Sequence, residues 1–221
     1  MKWLMISLAL AAGGLVRTHA EVAGDGLPEF FRAWLATQKR AGDVRVEFEL
    51  TKTLPALKEP VKMPGRFWNY ADGRFLWEIG RPATSLLRFD GVSLYSWEAA
   101  ENQWRTLDPN ERSMRLWMGF LSGQNLTEQN LAKDFLVTVP ATEKPLARIH
   151  LQPRSKRERR DLAQIELLFN LAGPRLAQVV VRQGDGGSQQ MDFKQPKPMT
   201  AVDRTVVPPP ATKTVPNKSG G

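Results

Sequence analysis

The stretch GRFWNYADGRFLWEIGRPATSLLRFDGVSLYSW, residues 65–97, decides the fold. Its apolar side chains recur every second position. Phe75, Trp77 and Ile79 share one parity with Leu76 on the other, and Leu87 and Phe89 share a parity in the following run. A period of two is the mark of a strand that buries one face. Asp72-Gly73, Gly80-Arg81-Pro82 and Asp90-Gly91 separate the runs. All are turn formers, and links this short join only antiparallel neighbours. The stretch therefore reads as a meander with strands over 65–70, 74–79, 84–89 and 93–97.

Downstream, the next strand falls at 104–107. Upstream, Val44, Val46, Phe48 and Leu50 alternate with Arg45, Glu47, Glu49 and Thr51, which predicts another half-buried strand. A proline-bearing connection over 55–64 leads from it into the meander. Ahead of that strand the period changes. Leu27, Phe30, Phe31, Trp34 and Leu35 recur at helical spacing, with Pro28 and Glu29 at the start and Gly42 past the end. Met114, Trp117, Met118 and Leu121 make a second amphipathic helix that stops at Gly123. Strands resume at 135–139, 147–152, 164–169, 176–182 and 188–194, and Gly184-Asp185-Gly186-Gly187 forms the last hairpin turn. About ten or eleven strands and two amphipathic helices give a mainly β fold with α (α+β), in which the helices cover one face of a large curved antiparallel sheet.

The two ends read differently from this domain. Residues 1–20 carry Lys2, a short apolar run and the small residue Ala20, the three parts of a cleavable export signal. The run is too short for a membrane span, which needs about 20 apolar residues. The expected organisation is a signal at 1–20, a single domain at 21–207 and a disordered Pro-rich tail at 208–221. Loss of Lys2 and Arg17 with the signal lowers the net charge from +8 to +6. A modestly basic surface of this kind suits plain solubility as well as acidic partners. With no cysteine in 221 residues, the chain has neither disulfides nor a lipid-modified N-terminal cysteine. A soluble, monomeric protein of the periplasm is expected.

The residues offer little for catalysis. Once the signal is removed, His150 is the only histidine, and it lies on the polar parity of a strand, away from any nucleophile elbow; Ser122 in Gly119-Phe120-Leu121-Ser122-Gly123 is one place off that pattern. No His/Cys cluster suits a metal, and no phosphate loop or dinucleotide fingerprint is present. Neither metal nor cofactor is expected, and the chain does not read as an enzyme. The basic run Arg154–Asp161 lacks the interleaved aromatics that a nucleic-acid site needs, so it reads as a solvated hairpin loop. The informative excess is aromatic: Phe67, Phe75, Trp77, Phe89, Tyr95, Trp97, Trp104 and Trp117 crowd the first half of the sheet and the second helix. Either they fill a tight core or, with the flexible Met114 and Met118, they leave an adaptable apolar cavity.

The order of these features resembles the LolA-type outer-membrane lipoprotein carrier family. Phe75, Trp77, Pro82, Asp90, Gly91, Leu94 and Tyr95 fall in register with its pattern of a Phe-x-Trp strand, a proline, a strand ending in Asp-Gly, and then Leu with aromatics. Leu121-Ser122-Gly123, Leu151-x-Pro153, Ile165-x-Leu167-x-Phe169 and Pro208-Pro209 continue the likeness. The resemblance implies an unclosed antiparallel barrel with a helical lid over an apolar cavity. That cavity would take the acyl chains of a lipoprotein from an inner-membrane lipoprotein-releasing transporter and pass them to an outer-membrane acceptor. The lipid-binding residues expected on this reading are Phe30, Trp34, Leu35, Phe48, Leu50, Phe67, Phe75, Trp77, Leu87, Phe89, Met114, Trp117 and Met118, with Phe75→Glu expected to disturb transfer and leave the fold intact. Where the family carries an arginine that latches the lid, this chain has Ala71-Asp72. A carrier of a free lipid or glycolipid in the same fold, or a lipoprotein-sensing regulator, fits the same residues.

Overall fold

A computed structural model of the protein describes residues 20–21, 27–40, 42–108, 128–140, 144–173, 175–204 and 206. Most of the expected signal, the second helix with Met114, Trp117 and Met118, and the Pro-rich tail lie outside the described residues. The elements in chain order are β1 (Ala20–Glu21), α1 (Glu29–Arg40), β2 (Val44–Thr53), β3 (Val61–Asn69), β4 (Phe75–Ile79), β5 (Ser85–Phe89), β6 (Leu94–Glu98) and β7 (Gln103–Leu107). After α2 (Glu128–Asp134) come β8 (Phe135–Val139), β9 (Leu146–Pro153), β10 (Leu162–Asn170), β11 (Arg175–Gln183), β12 (Ser188–Phe193), β13 (Lys197–Pro198) and α3 (Ala201–Arg204).

All the strands pair antiparallel in one sheet, in the order β1-β8-β9-β10-β11-β12-β2-β3-β4-β5-β6-β7, with β13 also on β2. Two meanders, β2–β7 and β8–β12, are thus joined through the β12–β2 pair, where Phe193 faces Phe48 and Met191 faces Leu50. The described strands at the two ends of this order, β1 and β7, do not pair with each other, so the barrel is unclosed. Eleven of the strands are longer than two residues. The sequence reading differs from this in one connection. Val61–Pro64, taken for linker, forms the first half of β3. Pro64 is tolerated there because its carbonyl accepts from Gly80 N at 2.8 Å just beyond the last β3–β4 rung, Gly65↔Ile79, so its missing N–H removes no rung of the ladder.

Period-two alternation sorts the side chains onto two faces. Phe48, Leu50, Phe67, Phe75, Trp77, Ile149, Leu151, Ile165, Leu167, Phe169, Val179 and Met191 form the inner-face core, and Leu27, Phe31 and Trp34 of the α1 segment complete it. Phe48 lies flat over Gly65, its cross-strand partner, and its ring centre is 4.2 Å from that of Trp77. A Cβ at residue 65 would come within 2.1 Å of the Phe48 ring, so the close approach requires glycine. Gly80 is fixed for a different reason: with φ of 91° it turns β4 into β5 in a conformation that side chains resist.

The outer face is not bare. Trp68, Leu76 and Met199 form a second buried cluster, packed by Tyr70, Leu86 and Val206 and closed by α3. Asp203 pins it. Its carboxylate accepts from Thr200 N (2.9 Å), Thr200 Oγ1 (2.8 Å), Arg45 (2.8 Å) and Trp68 Nε1 (3.3 Å), while Thr200 Oγ1 accepts from Asp203 N (3.1 Å). The last pair is a reciprocal helix cap. The Thr200 backbone bond, followed by the Thr200 hydroxyl, Arg45 and Trp68, holds the Asp203 carboxyl far below its ordinary range against the opposing effect of burial. A depressed folded-state pKa stabilises the fold above the unfolded value of about 4 and loses that contribution as pH falls below it. Asp203→Asn is therefore expected to cost about 2 kcal/mol at pH 7. The gap from the parent should narrow progressively below about pH 4, as read from urea midpoints across pH; an equal gap at pH 7 and pH 3 would contradict the assignment.

Candidate functional site

Helix α1 lies over the inner face, and an aromatic cluster fixes it there. The rings of Phe30, Phe31 and Trp34 stand 5.5, 5.6 and 5.5 Å from Phe169 of β10, the latter two edge-on. Phe31 and Trp34 are 0% and 2% exposed. At the other end of this arm, Leu27 N donates to the Glu128 carboxylate at the start of α2. The position where the resemblance predicts a latching arginine is an exposed turn. There Asp72 binds Arg74 through its backbone N–H (3.1 Å) and Nε (2.8 Å), and Ala71 N donates to Asp43 (3.0 Å). Neither reaches α1.

Between α1 and the sheet lies a cavity of about 600 Å³. A volume of this size sits within the ~300–1,000 Å³ usual for sites that hold small apolar ligands. Its apolar walls come from Trp34, Val44, Val46, Phe67, Trp77, Leu176 and Phe193. Five elements converge to build it: the C-terminal half of α1, the start of β2, the inner parity of β3–β4, the β10–β11 turn, and the link from β12 to β13. Thr37, Asn69, Asn170, Arg175, Lys194 and Gln195 contribute polar groups. Asn69 is 5% exposed, and its Oδ1 is buried with no hydrogen-bond partner among the described residues.

Of the residues expected to bind lipid, Trp34, Phe67 and Trp77 line this cavity. Phe48, Leu50 and Phe75 are buried in the core beside it, and Phe30, Leu35, Leu87 and Phe89 pack against that core. Met114, Trp117 and Met118 lie outside the described residues. Phe75 is 1% exposed, with rings of Phe67 and Phe89 at 5.9 Å on either side. A carboxylate there would be buried without a partner, so Phe75→Glu is expected to unfold the domain rather than spare it. Tyr95, Trp97 and Trp104, counted with the aromatic excess, belong to the outer face: Tyr95 pairs Arg88 across the strands, and Trp97 pairs Trp104. Sequence reasoning missed Asn69, Leu176 and Phe193. Parity signalled Asn69, two residues after Phe67 and therefore on the same face.

No catalytic constellation stands near the cavity among the described residues. His150 occupies the outer face with Arg148, where both approach the buried Glu166, at 3.3 and 3.0 Å. The basic run is tied into its own loop. Arg159 donates to the carbonyls of Pro153 (2.7 Å) and Arg154 (2.8 Å), and Arg154 donates to that of Ala132 (3.0 Å). Among the described residues no group of acidic, histidine or cysteine side chains is placed to hold a metal, and no helix is long and apolar enough to cross a membrane.

An unclosed antiparallel barrel with a helix packed over an apolar interior is what the resemblance implied. The family model described as outer membrane lipoprotein carrier protein LolA matches residues 40–206. The chain belongs to the LolA family. Solved structures similar to this LolA-family chain include a domain described as an outer membrane lipoprotein-sorting protein from Vibrio parahaemolyticus, at 12% identity and TM-score 0.39, covering 76% of this chain and 92% of that one. A LolA superfamily protein from Nitrosomonas europaea is similar at 10% identity and TM-score 0.38, covering 78% and 95%. MucB in the Pseudomonas aeruginosa MucA/MucB complex is similar at 13% identity and TM-score 0.40, covering 78% of this chain but 58% of MucB. A comparison with curated proteins finds no match.

Proposed function

We propose that this LolA-family protein is a periplasmic carrier that takes the acyl chains of lipoproteins into its inner cavity and conveys them from the inner to the outer membrane. The observation that supports this reading best is the cavity itself: a chamber of about 600 Å³ under α1 with aromatic and aliphatic walls continuous with the core. Each acyl CH₂ exposed to water costs about 0.8 kcal/mol, so a long chain needs an apolar chamber to cross an aqueous space. A helix that packs on the sheet by aromatic contacts, with no ion pair to it among the described residues, can lift from the sheet and settle again on cargo. An inner-membrane transporter and an outer-membrane acceptor are the partners that such a route requires.

The test is release from membranes. Inner-membrane vesicles loaded with a triacylated lipoprotein and the releasing transporter are incubated with ATP and this protein, and the supernatant is probed for a soluble one-to-one complex. The proposal expects the lipoprotein to appear in the supernatant only when the carrier is present. Lipoprotein that stays on the vesicles, with phospholipid recovered on the carrier instead, would replace lipoprotein transport by carriage of a free lipid.

A further inference from the structure

The cavity's apolar wall is interrupted by one buried amide. Asn69 is the last residue of β3, opposite Phe75 of β4 and Val44 of β2. Its parity matches that of Phe67, so the side chain faces inward and lines the cavity. Its Oδ1 is buried and has no hydrogen-bond partner among the described residues. Native proteins rarely leave a buried polar atom unsatisfied, because its lost hydration is not repaid. A leucine would fill the same position without that penalty. A second polar feature shares the cavity: Arg175, at the start of β11, lines it with no carboxylate paired to its guanidinium among the described residues, whereas Lys194 is shared with Glu47 at 3.5 Å.

We infer that Asn69 recognises the linkage that joins an acyl chain to its headgroup, that it selects an amide over an ester, and that Arg175 holds an anionic group beyond that linkage. The inference rests on the reading of the cavity as an acyl-chain site and specifies its ligand. An orphaned acceptor needs a donor. An N-acyl linkage supplies an N–H to one end of the carboxamide and a carbonyl to the other, and this complementarity holds whichever way the amide is turned. An ester supplies only acceptors, so the Asn69 acceptor would stay unsatisfied with an ester-linked ligand in place.

Two probes differing in a single group test this: N-palmitoylglycine, and its ester counterpart in which oxygen replaces the N–H. Affinities are measured by displacement of 1-N-phenylnaphthylamine, whose own binding reports the apolar cavity independently. The parent protein is expected to bind the amide about tenfold more tightly than the ester, the worth of one hydrogen bond to a buried partner. In Asn69→Leu the amide and ester affinities should become equal. The unliganded variant should also melt a few degrees higher, since an unsatisfied buried group has been removed. Arg175→Gln should weaken both probes by a similar factor and leave their ratio unchanged. Equal affinity of the parent for amide and ester, with the apolar probe bound, would overturn this inference and leave the acyl-carrier reading standing. A lower melting temperature for Asn69→Leu would overturn it too, by making Asn69 a structural residue. Failure of all three ligands to bind would overturn both readings.

Discussion

Phe169→Ala is expected to destabilise the protein by about 3–5 kcal/mol and to release α1 from the sheet. Phe169 is fully buried, and among the described residues it is the ring against which Phe30, Phe31 and Trp34 of α1 all rest. Truncation removes the transfer free energy of a phenyl group and leaves a void between two elements that relax only partly around it. Because a domain of this size is stable by only about 5–15 kcal/mol, the loss is a large fraction of the total. Two readouts separate the local from the global effect: the urea midpoint for the whole domain, and amide hydrogen exchange along α1. Exchange in α1 should rise more than in β3 or β4, whose contacts the substitution leaves in place. A loss below about 1 kcal/mol, or uniform exchange across the molecule, would show that α1 is not held by this cluster.

Leu176→Glu is the second large effect, and it falls on binding rather than on folding. Leu176 is half-buried at the start of β11, where it lines the cavity and faces Phe169 across the β10–β11 pair. A carboxylate there faces space that an acyl chain is proposed to occupy, so a bound chain would strip it of water without offering a partner. The affinity for 1-N-phenylnaphthylamine should fall about tenfold or more, and the circular dichroism spectrum should not change. Leu176→Met keeps the apolar wall and should bind as the parent does. Unchanged probe affinity in the glutamate variant would place the apolar site elsewhere.

The meander was legible in the sequence because the residues of its inner face recur at every second position. Phe75, Trp77 and Ile79 keep that period although Leu76 between them is also buried, on the outer face, and turns such as Asp90-Gly91 punctuate the strands. β8 at Phe135–Val139 and the hairpin around Gly186 were legible for the same reason. Pro64 misled the reading of β3, since a proline inside a strand is compatible only with a position past a rung, and the sequence does not reveal where the rungs end. The short helices α2 and α3 were not read either. Seven and four residues carry too little period for recognition, and α3 depends on a carboxylate contacting Arg45, which lies 158 positions away in the chain. The aromatic residues were read as one set although the sheet divides them. Parity within each strand was visible, but which parity faces inward follows from pairing: Trp68 and Leu76 face α3, while Phe67 and Trp77 face the cavity. The cavity residues contributed by turns and links, such as Ala172 and Lys194, carry no period at all, and only folding brings them to the site.

If the cavity under α1 carries acyl chains, native mass spectrometry of the protein purified from the cells that make it, before and after organic extraction, detects them directly. An acyl carrier predicts a fraction of the protein bearing an added mass that extraction removes and that yields fatty acids on hydrolysis, and this fraction should fall sharply in Leu176→Glu. Protein that emerges at its bare mass from cells in every condition, and with the same spectrum in the variant, would contradict it.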